Sequence, residues 1–230
     1  MKKKRTLQVK IIPKRKYEEY YWKAGYKKIA GIDEVGRGAW AGPLVAAAVI
    51  IPKNQKLYLL RDSKLLDRKS REKLARKIIK NCQVGIGSVS PAKINRLGLT
   101  ASTKLAYQKA IEKLDKKPDL LLIDAFEIDY QKIKSIGIIR GDQISSSIAA
   151  ASIVAKVYRD RLMRKIAKRF RKWDFNNNKG YGTLKHRQAL KKHGVTKVHR
   201  LNYKPIQAFS KISKNSKISK NHKSKISNPK

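Results

Sequence analysis

Apolar and polar positions along this chain change their period several times, and each change marks an expected element. Residues 29–35, IAGIDEV, and 44–51, LVAAAVII, are short runs of apolar and small residues, as in strands buried on both faces, with a glycine-rich turn between them. RKSREKLARKIIK over 68–80 has the helical period, with charges filling the outer positions. CQVGIGSVS over 82–90 reads as a third strand, and Pro91 suits the first turn of a short helix. LTASTKLAYQKAIEKL over 99–114 places Leu105, Ile111 and Leu114 on one side of a helix. PDLLLIDAF over 118–126 has the apolar run and length of a buried strand, and SIGIIRGD over 135–142 reads as another. The segment 145–170, beginning SSSIAAAS, predicts a long helix whose small first half can pack closely. Strands in succession, then alternating with helices, predict an α/β fold with a mixed sheet and helices on its faces.

Three zones follow. Residues 1–27 form a basic N-terminal arm with an aromatic patch, YEEYYWKAGY, that suits a short helix docked on the body. Residues 28–208 are the folded domain. Residues 209–230 repeat SKISKN with almost no aromatic or acidic residue, a composition that cannot bury a core and predicts disorder.

Charge narrows the functional classes. There are 57 lysines and arginines against 16 acidic residues, a net charge of +41. Such a field favours a polyanionic partner, nucleic acid first. The longest apolar run, from Ala41 to Ile51, is broken by Gly42 and Pro43 and is too short to span a bilayer. No apolar block follows the basic start, and Cys82 is the only cysteine. A cytoplasmic protein without membrane attachment, disulfides or thiolate zinc is expected. A monomer is the default.

Against this basic background the acidic residues can be sorted. Glu18, Glu19, Asp67, Glu72, Glu112, Asp115 and Asp119 stand in charged surroundings and are expected at the surface or as helix caps, and Asp62 belongs to a turn. Asp33, Glu34, Asp124 and Asp142 instead sit at the ends of expected strands, where burial is expected. There an unpaired carboxylate is costly unless it meets a cation. A salt bridge to a lysine would serve for any one of them, and Asp142 also suits a helix N-cap. Several carboxylates at neighbouring strand ends make an oxygen-rich pocket suited to Mg²⁺ or Mn²⁺. Beside a basic surface this is the layout for phosphodiester hydrolysis with two ions about 3.5–4 Å apart. Adjacent strand residues face opposite ways, so Glu34 reaches a shared ion only if the strand ends there or through its carbonyl.

The turn GRGAWAG has glycines at 36, 38 and 42, the wrong spacing for a dinucleotide fingerprint, and a strand rather than a helix follows it. Gly36, Arg37 and Gly38 suit close backbone approach to a sugar-phosphate, or a tight turn alone. Tyr181, between two glycines in NNNKGYGT, suits a stacking platform or a loop anchor. Asp160 has Lys156, Arg161 and Arg164 around it and suits a structural ion pair. His186, His193 and His199 lack metal-ligand spacing and suit phosphate contact or an exposed helix face.

GIDEVGRGAWAGPLVAAAVI, RDSKLL, LLIDAF, GDQISSSIAAASIVAKVYRDRLM, NKGYGTLKH and HGVTKVHR, in this order over roughly 28–207, resemble the motifs of ribonuclease HII. The resemblance implies a ribonuclease H-like fold, with a mixed five-stranded sheet flanked by helices and a helical C-terminal part. It implies an endoribonuclease that cuts the RNA strand of RNA–DNA hybrids and nicks duplex DNA 5′ of embedded ribonucleotides. The products would be 3′-hydroxyl and 5′-phosphate ends. Asp33, Glu34, Asp124 and Asp142 match the family's four acidic metal-binding and catalytic residues. Gly36, Arg37 and Gly38 match the turn that senses the 2′-hydroxyl, and Tyr181 matches the tyrosine that stacks on the next deoxyribose. Lys64 would lie near the scissile phosphate.

Two places depart from the family pattern. Ala39-Trp40 replaces a commoner small or Pro-Leu pair, and Asn202-Tyr203 stands where serine and phenylalanine are usual. A ribonuclease HIII-like enzyme would usually carry GTG in place of Gly36-Arg37-Gly38, and a large extra N-terminal domain. A noncatalytic basic nucleic-acid binder would explain the charge but not the buried acids.

Overall fold

The computed structural model describes residues 15–55 and 67–210. Lys64, the first half of the N-terminal arm and residues 211–230 lie outside these. Residues 209 and 210 end a helix that runs over 204–210. The chain folds into two compact units.

The first unit comprises the residues up to Val35, Val45–Ser88 and Lys104–Tyr158. Its centre is a five-stranded mixed sheet of β1 (Ile29–Val35), β2 (Leu44–Ile50), β3 (Gln83–Val89), β4 (Leu120–Asp124) and β5 (Lys134–Ile138), in the order β3-β2-β1-β4-β5. β1 runs antiparallel to β2 and parallel to β4, which is parallel to β5. All of β2 and the first four residues of β4 are buried, which is why both read as apolar runs without alternation. Ile32 pairs with Ile123, so Asp33 and Asp124 come next on neighbouring parallel strands, at the same edge of the sheet.

Helices are seated where glycine lets them approach. A β-carbon at Gly85 or Gly87 of β3 would lie 1.9 Å from the carbonyl oxygen of Ala110 or Ala106 in α4 (Leu99–Ile111). A β-carbon at Gly31 of β1 would lie 2.1 Å from the backbone of Ser147 in α6 (Ser146–Arg169). α2 (Arg68–Asn81) starts at Asp67, whose carboxylate accepts from the Ser70 amide at 2.7 Å.

Two details differ from the sequence reading. Glu18, expected at the surface, is buried: it lies on α1 (Lys16–Lys23), and one carboxylate oxygen accepts from the hydroxyls of Ser145 and Ser147 and from the Ser147 amide. The N-terminal arm thus caps α6. The strand expected over 135–142 stops at Ile138, because the Gly141 amide is drawn to the Asp124 carboxylate at 2.7 Å. Arg140 takes a left-handed φ of 55° there, and a one-turn helix, α5 (Gly141–Ile144), carries Asp142 in its first turn rather than as its cap.

The second unit comprises Gly36–Leu44, Val89–Thr103 and the chain from Arg159 onward. It contains α3 (Pro91–Leu97), a short 3₁₀ turn at Arg171–Trp173, α7 (Phe175–Asn178) and α8 (Leu184–His193). Ala41, Met163 and Phe175 form its core, with Ile166, Phe170, Trp173 and Val198 packed against them. No helix among the described residues is long and apolar enough to cross a membrane.

The Gly31–Ser147 approach gives a direct test. Gly31→Ala should lower the unfolding free energy by about 3 kcal/mol, the upper range for overpacking a core. Urea denaturation measures it, and an unchanged midpoint would mean that α6 can shift freely on the sheet.

Candidate active site

In the first unit, Asp33 and Glu34 lie near the end of β1, which Val35 closes, and β-strand alternation sends them to opposite faces. Asp33 shares a face with Gly31, the glycine that admits α6, and the Ser152 hydroxyl of α6 donates to its carboxylate. The Glu34 amide also donates to Asp33, at 2.7 Å. Glu34 accepts a short hydrogen bond from the Tyr107 hydroxyl, on α4. Asp124, at the end of β4, accepts from the Gly141 amide, one residue before Asp142.

Asp33 is the electrostatic centre of this edge. Burial pushes its carboxyl well above the usual carboxylate range, and the like charges of Glu34 and Asp124 add to the rise; the Ser152 hydrogen bond opposes it. The charges that weigh most on Asp33 are thus acidic, although the chain is rich in lysine. Among the described residues no three carboxylate, imidazole or thiol groups converge into a ready-made metal cage. What stands here is a buried acid with acidic neighbours, an oxygen donor set that fits a hard divalent cation and that a cation would relieve.

In the second unit, the glycines of the turn serve different masters. Gly36 has φ 94°, and a β-carbon there would lie 2.2 Å from the Nε of Arg159. Gly42 has φ 84° and presses on the Met163 sulfur. Both are required by the interior. Gly38 is exposed, and a β-carbon on it would meet nothing within 4 Å. The folded chain does not need a glycine at 38.

Tyr181 is half-buried, and the Arg159 guanidinium carbon lies 5.4 Å from its ring centre. Its loop is anchored by Trp40: the Trp40 amide donates to Gly180 O at 2.8 Å, and the Trp40 ring fills the space a side chain at Gly182 would need. The bulky residue after the glycine turn is thus a support for the tyrosine loop.

His186 and His199 are neither phosphate ligands nor exposed: both are fully buried, with their Nε2 atoms 3.1 Å apart. The partners fix the tautomers. Among the described residues His186 Nδ1 faces the Tyr181 carbonyl, at 2.9 Å, so it carries the proton and its Nε2 accepts. His199 therefore donates through Nε2, while its Nδ1 accepts from the Thr196 amide at 2.9 Å. A directed chain runs from Thr196 through both rings to the backbone of Tyr181. Burial lowers the pKa of both rings, His199 to about 4, where the neighbouring His186 contributes as well.

Ser152, Tyr107, Arg159 and Arg200 were not singled out from sequence. Two arginines among so many cations carry no signal of burial. Ser152 and Tyr107 show their roles only once two helices are placed on either side of β1.

Two outcomes test these environments. Asp33→Asn should raise the stability of chelator-treated protein by about 1 kcal/mol, as expected when a strained functional group is removed; a lower urea midpoint would mean its hydrogen bonds outweigh the repulsion. The folded His199 pKa of about 4 lies below the unfolded value, so the unfolded chain takes up the proton first as pH falls. The stability due to this ring is intact above about pH 6.5 and drains away toward pH 4. Melting curves should show His199→Gln losing less stability than wild type between those limits; parallel losses would contradict the neutral pair.

A profile of the family described as Ribonuclease HII matches residues 30–206. The chain is 49% identical over 192 residues to the ribonuclease HII of Desulfitobacterium hafniense, covering 83% of this chain and 74% of that one. Among solved structures, it is similar to the ribonuclease HII of Archaeoglobus fulgidus, solved in complex with PCNA, with TM-score 0.66 and 27% identity over 77% of this chain and 95% of that one. It is similar also to ribonuclease H2 from Pyrococcus horikoshii, with TM-score 0.65 and 25% identity over 80% and 97%. The sheet order, the acids at its edge and these likenesses agree: the chain belongs to the ribonuclease HII family, and is an endonuclease of the ribonuclease H kind that acts on RNA–DNA hybrids and, as in that family, depends on a divalent metal.

Proposed function

We propose that this enzyme, besides cutting the RNA strand of hybrids, nicks duplex DNA on the 5′ side of an embedded ribonucleotide by two-metal-ion hydrolysis, leaving 3′-hydroxyl and 5′-phosphate ends. The observation that carries this reading is Asp33, buried at the end of β1 with Glu34 and Asp124 as its charged neighbours. Asp33, Glu34, Asp124 and Asp142 would hold two Mg²⁺ or Mn²⁺ ions, which supply an activated water and neutralise charge on the leaving oxygen. A hard cation of this kind completes its shell with water and substrate phosphate rather than an all-protein cage, which suits a site where no three ligands converge among the described residues.

The chain's own groups do the rest. Ser152 and the Glu34 amide hold the Asp33 carboxylate in one orientation, and Tyr107 holds Glu34. Gly141 holds Asp124 and so ties the loop bearing Asp142 to β4. Gly36, Arg37 and Gly38 would read the ribose 2′-hydroxyl through the backbone. Gly38 supports this role best, because nothing in the protein itself excludes a side chain there. Tyr181, backed by the Arg159 guanidinium, would stack on the sugar that follows. Lys64 is proposed beside the scissile phosphate from its motif alone. The net charge of +41 concentrates duplex substrate at the surface.

A nicking assay on a duplex with one ribonucleotide, beside all-DNA and all-hybrid duplexes, tests the reading in Mg²⁺, Mn²⁺ and chelator. Wild type should nick 5′ of the ribonucleotide only with metal, and Asp124→Asn should lose at least about a hundredfold in rate. Gly38→Ala should melt with wild type yet lose about tenfold on the single-ribonucleotide duplex. Cleavage of the long hybrid alone would discard the roles given to Gly38 and Tyr181.

A further inference from the structure

The turn from Gly36 to Pro43 is held from its carbonyl side by two buried arginines of its own unit. Arg200 donates through Nε and Nη2 to Gly42 O, each at 3.1 Å, and through Nη1 to Arg37 O at 3.0 Å. Its Nη1 also donates to the Tyr203 hydroxyl at 2.9 Å, and that hydroxyl donates to Arg37 O at 2.5 Å. Arg159 donates through Nε to Pro43 O at 2.9 Å and through Nη2 to Ala41 O at 3.3 Å, and faces the Tyr181 ring. Both arginines are 0% exposed. The Nη1 of Arg159 is buried with no hydrogen-bond partner.

These guanidiniums bond to backbone carbonyls and one phenol, not to carboxylates. Burial lowers the pKa of both, Arg159 to about 10, and each feels the other's charge or the same phenols. The Asp160 charge supports Arg159 from the next position, but the hydrogen bonds of both cations are spent on the turn, a costly way to close it, since apolar packing does so at less expense in desolvation. The geometry they impose is the compensation. A trans peptide is planar, with its C=O and N–H pointing in opposite directions, and no described peptide bond is cis. Arg200 and Tyr203 pull the Arg37 carbonyl inward. The N–H of the same peptide belongs to Gly38, so it is turned outward, at a residue that is exposed.

We propose that Arg200, Tyr203 and Arg159 are specificity-determining positioning residues: they lock the Arg37–Gly38 peptide plane and brace Tyr181, and so set how strongly a single ribonucleotide in DNA is favoured. The proposal rests on the substrate-reading role given above to the turn and Tyr181. Tyr203 makes it particular to this chain. The phenylalanine usual at this place in the family would leave Arg37 O with Arg200 as its only donor of the two.

The test is the ratio of kcat/KM on the single-ribonucleotide duplex to kcat/KM on the all-hybrid duplex, for wild type, Arg200→Lys, Arg159→Lys and Tyr203→Phe. A ratio is unaffected by any fraction of unfolded protein. Either lysine variant should lower it about tenfold, as for loss of a charged hydrogen bond, and Tyr203→Phe about threefold, as for a neutral one. Tyr203→Phe removes one oxygen and should melt close to wild type, which keeps the test valid if an arginine variant misfolds. Equal losses on both substrates, or an unchanged ratio in Tyr203→Phe and the folded lysine variants, would overturn the proposal. Wild type that cuts hybrids but ignores the single ribonucleotide would instead sink the underlying reading.

Discussion

Asp33 is held where its charge is disfavoured, and much of the first unit is arranged around that fact. It lies on the middle strand of the sheet, so it can leave water on all sides. Gly31, two residues earlier on the same face, lets α6 come close enough for Ser152 to reach the carboxylate. Glu34 and Asp124 then raise the cost of ionising Asp33 rather than lowering it. A cation brought to this edge would lower that cost, which is why the arrangement suits an oxygen-liganded ion better than it suits stability alone.

The second unit solves the opposite problem with the opposite charge. A turn whose Gly38 peptide faces outward has to satisfy its carbonyls inward, and a guanidinium does this better than any neutral side chain because it has five donors in a rigid plane. Arg200 uses that fork on Gly42 and Arg37, and Arg159 uses it on Ala41 and Pro43. The tyrosine loop is held by neutral means, through Trp40 beneath Gly182 and the histidine chain to the Tyr181 carbonyl. Neutral rings suit that place, since a protonated pair would put two more cations into a core already holding two.

How much of this the sequence disclosed depends on the kind of signal. Buried strands declare themselves by composition, and IAGIDEV and LLLID were legible as strands; of the four acids expected to be buried, Asp33 is, while Glu34, Asp124 and Asp142 are half-buried because they lie at or just beyond the strand ends, at the sheet edge. The sheet and the order of the helices were legible for the same reason, down to a few residues at the ends. The early stop of β5 was not, because it depends on a hydrogen bond from Gly141 to a side chain seventeen residues away. Glu18 looked like a surface residue since its partners, Ser145 and Ser147, are more than a hundred positions distant. The arginines and histidines of the second unit were misjudged or passed over because charge normally means exposure, and burial by backbone carbonyls leaves no mark on neighbouring residues.

Glu18 bears on where the catalytic unit begins. The family profile starts at residue 30, yet the acid that caps α6 lies twelve residues before it. Its second carboxylate oxygen is buried without a partner, so the group is held by three donors on one oxygen and by the positive end of α6. α6 carries Ser152, and α5 with Asp142 immediately precedes it in the chain. Anything that loosened the first turn of α6 would therefore reach Asp33 from one side and Asp142 from the other. The arm is, in physical terms, part of the machinery that holds the acidic edge, although its sequence carries no catalytic motif.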